Sequence, residues 1–157
     1  MVIPLSHTWS LLLSAALWPA WGFLSGWWYR RKGSDALLRD RWHVRPRRFE
    51  RDGGWYDGRL NIRLWKDRLP ETGGWFGVSK RELPGLSNED LERFAVECRR
   101  GELTHWMILF ATPAFAVWNS GIALAIVTFV GLAASVPFIA VQRYNQLRTR
   151  RILARRA

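Results

Sequence analysis

Charged residues are confined to two parts of the chain, and the long stretches that separate them are apolar. Residues 1–29 and residues 103–142 contain no Asp, Glu, Lys or Arg, whereas all 13 acids lie between Asp35 and Glu102. A soluble domain distributes charge along its whole length, because each of its helices and strands keeps a polar face. A spanning helix needs about 20 apolar residues. The pattern therefore predicts an integral membrane protein with three transmembrane helices, one in the first block and two in the second.

The boundaries of these helices can be placed from local signals. We expect them near residues 5–28, 88–118 and 121–148. Ser87 is a suitable N-cap, and Glu89 and Asp90 follow it in the first turn. The tetrapeptide at 118–121, Trp-Asn-Ser-Gly, has turn chemistry and divides the second block. Three parts follow: an N-terminal transmembrane helix (1–29), a basic cytoplasmic segment (30–87), and a helical hairpin with two spans and a basic tail (88–157).

The basic segment has one alternating stretch of apolar and polar residues, between positions 59 and 71. It stops at Pro70, and Gly73-Gly74 and Pro84-Gly85 then mark loops. We therefore predict an all-α membrane protein whose cytoplasmic segment contains a short extended element near residues 59–66. This element should lie against the start of the second long helix.

Basic residues indicate the orientation. The chain has 24 Lys and Arg and a net charge of +11, and basic clusters directly follow the first block and flank the second. By the positive-inside rule, three spans place every basic cluster on the cytoplasmic side of the plasma membrane of a bacterium, with the N-terminus outside. The alternative is that residues 1–29 are a cleaved signal peptide, but they lack a basic start and a clear A-x-A site. The Arg-rich stretch at 39–48 is expected to contact anionic lipid rather than nucleic acid.

The second long helix carries polar groups into the apolar block. Glu97, Cys98, Gly101, Glu102 and His105 fall within roughly 140° of one helix face. Glu102 and His105 are three residues apart and can touch, and a carboxylate that orients an imidazole makes a general base. The alternatives are that His105 is an interfacial anchor beside Trp106, or that the pair is half of a metal site. We expect no metal.

A second polar cluster lies where the third helix leaves the apolar block. It consists of Gln142, Arg143, Tyr144, Asn145 and Arg148.

General motifs for a nucleophile elbow, a phosphate loop or a dinucleotide site are absent from the sequence. The His-x4-Asp box of acyltransferases is absent as well.

Three pieces of the chain together resemble one family. They are residues 61–71 (NIRLWKDRLPE), residues 97–106 (ECRRGELTHW) and residues 137–145 (PFIAVQRYN). In this order they are similar to the glycosyl-4,4'-diaponeurosporenoate acyltransferases of staphyloxanthin-type carotenoid biosynthesis. Gln146 departs from the family, which usually has Arg after the Q-R-Y-N motif.

The resemblance implies a membrane enzyme that transfers a fatty acyl chain to a sugar hydroxyl of a glycosylated carotenoid or a related glycolipid. It implies acyl-coenzyme A as donor substrate and no cofactor, with the carotenoid, the acyl donor and membrane lipid as partners. The expected catalytic residues are His105 as base, Glu102, which orients it, and Arg143. The expected substrate-binding residues are Trp65, Lys66, Asp67, Glu97, Arg100, Trp106, Gln142, Tyr144, Asn145 and Arg148. A non-catalytic lipid-binding or assembly protein is the alternative, and the oligomeric state is open.

Overall fold

The computed structural model describes residues 2–70 and 87–156, and in these ranges the chain is helical with no strand. Three long helices dominate: α1 (His7–Arg30), α5 (Asn88–Ala111) and α6 (Gly121–Ala154). The three predicted helices are therefore confirmed, with small shifts at their ends. The α-helical prediction holds for both described ranges.

The ends of α5 follow from its sequence. Ser87 accepts a hydrogen bond from the backbone N–H of Asp90 at 3.1 Å, which confirms the predicted N-cap. The α-helix ends at Ala111 and continues as a 3-10 helix, Thr112–Val117. Pro113 explains the change, because proline has no N–H to bond to the preceding turn.

The long helices form a bundle in which α5 runs antiparallel to both α1 and α6. Gly22 of α1 packs against Ile108 of α5, and Gly131 of α6 lies under the ring of Trp18. At the end where α6 begins, Ser14 of α1 accepts hydrogen bonds from Trp118 and Asn119 at 3.0 and 2.9 Å. The turn between α5 and α6 is therefore tied to α1.

Short helices connect α1 to residue 70. They are α2 (Ser34–Leu38), a 3-10 helix (Arg48–Gly53), α3 (Gly54–Leu60), α4 (Ile62–Trp65) and a 3-10 helix (Lys66–Arg68). Residues 39–47 join α2 to the first 3-10 helix, and we call them the linking segment. It lies along α5, because Val44 packs in a buried cluster with Tyr29, Leu37 and Leu103.

The prediction of an extended element at residues 59–66 was wrong, because these residues form parts of α3, α4 and the second 3-10 helix. A strand would bury alternate residues, but Leu60 and Leu64 are exposed and only Ile62 between them is buried. Asn61 has a φ of 47° and separates α3 from α4. Ile62 packs with Tyr144 and Leu147 of α6, so the observed core contact is with α6 and not with the start of α5. Within residues 2–70 and 87–156 there is no strand with which residues 59–66 could pair, and burial of one side chain suits a short helix. The predicted loops at Gly73-Gly74 and Pro84-Gly85 lie outside the described residues.

One helix in the described ranges, Gly121–Ala154, is long and apolar enough to cross a membrane. The three predicted spans are not confirmed by this criterion. The outer faces of α1 and α6 nevertheless expose large apolar side chains, among them Trp9, Phe23, Ile122 and Phe129, each more than half exposed. Extended apolar surface of this kind indicates contact with lipid or another protein.

Candidate functional site

A network of buried charges joins α5, α6 and the first 3-10 helix at the charged end of the bundle. Glu102 of α5 accepts hydrogen bonds from Arg99 at 2.8 Å and from Arg143 of α6 at 2.7 Å. Arg143 also donates from Nε and Nη2 to the carboxylate of Glu50. Two guanidinium groups thus alternate with two carboxylates, and all four residues are at most 7% exposed. We call Glu50, Arg99, Glu102 and Arg143 the charge network.

Arg143 uses all of its donors within the protein. Besides the two carboxylates, its Nη1 and Nη2 groups donate to the backbone carbonyls of His43 and Arg45 in the linking segment. A guanidinium group has five N–H donors, and each of the five is directed at an acceptor in this structure. Arg143 therefore fastens the linking segment to α6.

Glu50 is held as a carboxylate by its neighbours. Burial alone would raise the pKa of its carboxyl, but hydrogen bonds from Arg143, Tyr56 and the Arg47 backbone lower the pKa below its usual value. Burial, followed by the hydrogen bond to Glu50, raises the pKa of the Tyr56 phenol. These neighbours favour the charged form of Glu50, which balances one of the two arginines.

The structure brings together some of the predicted residues and separates others. Glu102 and Arg143 meet in the charge network. Arg100 instead pairs with Glu97 and donates to the backbone carbonyl of Tyr29 at 3.4 Å, on the side of α5 that faces α1. Lys66 pairs with its neighbour Asp67 in the second 3-10 helix. These two pairs are separate from the charge network.

Two of the predicted aromatic residues belong to a packed core. Tyr144 is buried with Tyr56, Ile62 and Leu147, and Trp65 packs against this cluster. The Tyr144 hydroxyl accepts a hydrogen bond from Arg63 at 3.2 Å. The Trp65 indole donates to the carbonyl of Leu60 at 2.9 Å. Both side chains anchor the short helices α3 and α4 to α6.

The remaining predicted residues of α6 differ in burial. Gln142 and Asn145 are each 8% exposed. The buried Oε1 of Gln142 has no hydrogen-bond partner within residues 2–70 and 87–156. Arg148 is exposed. Gln142 thus keeps a buried acceptor unused, whereas Arg148 lies on the surface.

Two imidazoles lie near the charge network, and their rings contact different aromatic side chains. The ring of His105 stacks on Phe138 of α6, with centroids 4.7 Å apart and planes 15° apart. The ring of His43 contacts Trp42, Trp106 and Phe110 edge-on, with centroids 5.2 to 5.8 Å apart. Each oxygen of Glu102 accepts from an arginine, so its role in orienting His105 stays a prediction.

Sequence reasoning did not identify Arg99, Glu50 and His43. Arg99 could have been found, because it is three residues before Glu102 on the same helix face. His43 lies in the linking segment and Glu50 lies in the first 3-10 helix. Their partner Arg143 is 100 residues from His43 and 93 residues from Glu50. No local pattern indicates such pairs. A cluster of three or more His, Cys, Asp or Glu with metal-ligand geometry is absent from the described ranges.

The fold and the site define an all-helical protein with an apolar bundle and a buried arginine–carboxylate network at its charged end. A sequence model of the glycosyl-4,4'-diaponeurosporenoate acyltransferases matches residues 25–155. The chain therefore belongs to the glycosyl-4,4'-diaponeurosporenoate acyltransferase family.

Curated relatives carry the same name. Glycosyl-4,4'-diaponeurosporenoate acyltransferase of Staphylococcus aureus strain N315 is 31% identical over 110 residues, which is 67% of this chain and 64% of the relative. That of strain Newman is 30% identical over the same shares. The chain thus aligns with just under two thirds of the length of these relatives. No solved structure matches it significantly.

Proposed function

We propose that this chain is a membrane acyltransferase that esterifies a sugar hydroxyl of a glycosylated carotenoid, or of a related glycolipid, with a fatty acyl chain. The name of its relatives supports the substrate class. The observation that carries the proposal is the charge network, a desolvated set of fixed charges at the point where apolar helices become basic. An amphipathic acceptor and an acyl donor would present their polar ends at this level.

We further propose three spans, with α1 and α5 added to α6. The charged ends of α1, α5 and α6 lie together, because α5 runs opposite to the other two. Between Gly121 and Arg143 the axis of α6 rises about 33 Å at 1.5 Å per residue, which matches a hydrocarbon core of about 30 Å. The N-terminus would lie outside and the basic tail inside.

The reaction joins a sugar oxygen to the carbonyl carbon of an acyl thioester, for which acyl-coenzyme A is the proposed donor. A base must take the hydroxyl proton, and the imidazole of His105 is predicted from the sequence for this role. Every N–H donor of Arg143 is already used within the protein, which favours a positioning role for this residue over the predicted catalytic role. Arg100 and Lys66 are the candidates for contacts to anionic groups of the donor.

This proposal is tested in a bacterial host that makes glycosyl-4,4'-diaponeurosporenoate and lacks an acyltransferase for it. Expression of the chain should convert the pigment to a fatty acyl ester, measured by mass spectrometry of the extracted carotenoids. Arg155→Gln in the exposed tail serves as a matched control and should give the same product as the parent chain. Persistence of the unacylated pigment, with the protein present in the membrane fraction, would refute the proposal.

A further inference from the structure

The aromatic contacts of His43 place its imidazole below the charge network, beside the apolar part of α5. Phe110 is eight residues beyond Glu102, which is about 12 Å along the helix axis. The carbonyl of Val44 lies at the level of Arg99, from which it accepts a hydrogen bond at 2.8 Å. The neighbouring His43 ring reaches Trp106 and Phe110, whose own rings stack on each other with centroids 5.3 Å apart. An imidazole at this depth lies where the polar head of a membrane-bound lipid meets its apolar part.

His43 is half-buried, and two of its aromatic neighbours reach the outside of the bundle. Trp42 is 69% exposed and Phe110 is 47% exposed, although both contact the His43 ring. Exposed aromatic side chains suit a membrane boundary, because the ring is apolar and a Trp side chain also has a polar N–H group. Sugar rings stack their C–H faces on such rings. His105 is half-buried as well, and its ring lies parallel to that of Phe138 between α5 and α6.

The His43 imidazole also carries an unused polar atom. Its Nδ1 is buried and has no hydrogen-bond partner in the part of the chain that the structure describes. A buried polar atom without a partner costs about 1–3 kcal/mol, so its presence calls for an explanation. A hydroxyl group of a substrate that displaced one of the surrounding aromatic rings would reach Nδ1 and supply the missing partner.

We propose that His43, in place of the His105 predicted from the sequence, is the catalytic base for the proposed acyl transfer, and that Trp42 and Phe110 hold the acceptor sugar beside it. This inference rests on the proposed function and deepens it. The imidazole takes the proton of the sugar hydroxyl while the sugar oxygen forms a bond to the carbonyl carbon of an acyl thioester. The carbon–sulfur bond then breaks, and the protonated imidazole returns its proton to the thiolate. The products are the sugar ester and a free thiol.

The charges around His43 suit this role. Burial lowers the pKa of its imidazole, and the positive charges of Arg41 in the linking segment, Arg99 on α5 and Arg143 on α6 lower it further. The imidazole is therefore neutral at pH 7 and can accept a proton. Activity should rise with pH through the His43 pKa, which is lowered from the usual value of an imidazole, and then stay constant.

The test compares His43→Gln with His7→Gln in the full chain, reconstituted in vesicles with glycosylated carotenoid and a long-chain acyl-coenzyme A. Glutamine keeps the backbone carbonyl that Arg143 binds, so the charge network should stay intact. His7 is an exposed histidine at the start of α1 and is the matched control. We expect His43→Gln to lower kcat by about 10²–10⁴-fold and to abolish the acid limb of the pH profile, because a general base contributes that much. His7→Gln should keep the parent rate and profile.

The outcomes separate the two proposals. A parent chain that forms ester while His43→Gln keeps its rate and its acid limb overturns the role of His43 alone. The same holds if His105→Gln, and not His43→Gln, removes the acid limb. A parent chain that forms no ester overturns the proposed function, and the role of His43 with it. Retention of the parent melting temperature by His43→Gln, together with loss of turnover, supports a catalytic role over a structural one.

Discussion

Glu102 lies between two buried guanidinium groups, and the loss of its charge should destabilise the bundle strongly. The side chains of Glu102 and Arg99 are 0% exposed and that of Arg143 is 9% exposed. Glu102→Gln keeps the volume but leaves two buried arginines with one buried carboxylate, Glu50. Breaking a buried pair in this way costs about 3–5 kcal/mol. At about 2–4 °C per kcal/mol for a chain of this size, the unfolding midpoint should fall by roughly 6–20 °C.

The single cysteine provides the assay. Cys98 is buried in α5, so a thiol-reactive dye added to the detergent-solubilised protein reports unfolding on heating. Glu89→Gln is the matched control, because it removes an ion pair on the same helix whose two side chains are about 70% exposed. Exposed pairs contribute less than about 1 kcal/mol. The reasoning fails if Glu102→Gln unfolds within about 2 °C of the parent chain, or if Glu89→Gln is equally destabilised.

Two further predictions concern the bundle. In a cysteine-free background, a membrane-impermeant thiol reagent added to intact cells should label Ser6→Cys and not Arg59→Cys, and external labelling at position 59 would contradict the proposed orientation. Gly131→Ala should lose about 1–3 kcal/mol in detergent melts, because an added Cβ would lie 2.6 Å from Trp18. Gly33→Ala, where nothing lies within 4 Å of the added atom, should melt like the parent chain, and equal losses at both positions would refute the packing argument.

The helices could be predicted from the sequence because their signals are local. Charge-free blocks, the N-cap at Ser87 and the turn at 118–121 each act within a few residues, and the structure has helix boundaries close to those positions. The extended element near 59–66 could not be predicted correctly. Alternation over a few residues does not show whether a neighbouring strand exists, and burial of Ile62 against α6 decided the conformation.

The candidate site was predictable only in part. Glu102 and Arg143 were both selected from the sequence, and they meet in the charge network. The linking segment was read as a basic surface for lipid headgroups. That contact stays a prediction, but the sequence did not indicate that backbone carbonyls of this segment bind Arg143 or that its histidine packs on α5. Contacts between residues about 100 positions apart depend on how the helices pack, which periodicity and composition do not encode.

The central claim is that this chain forms an ester between a fatty acid and a membrane-bound sugar. The most direct measurement uses the purified full chain in vesicles that contain glycosyl-4,4'-diaponeurosporenoate, with acyl-coenzyme A carrying an isotope-labelled acyl group. We expect mass spectrometry to find the label in the carotenoid fraction as a sugar ester, and free thiol to appear in equal amount. Labelled acyl groups that remain on the donor, or that enter free fatty acid alone, would contradict it.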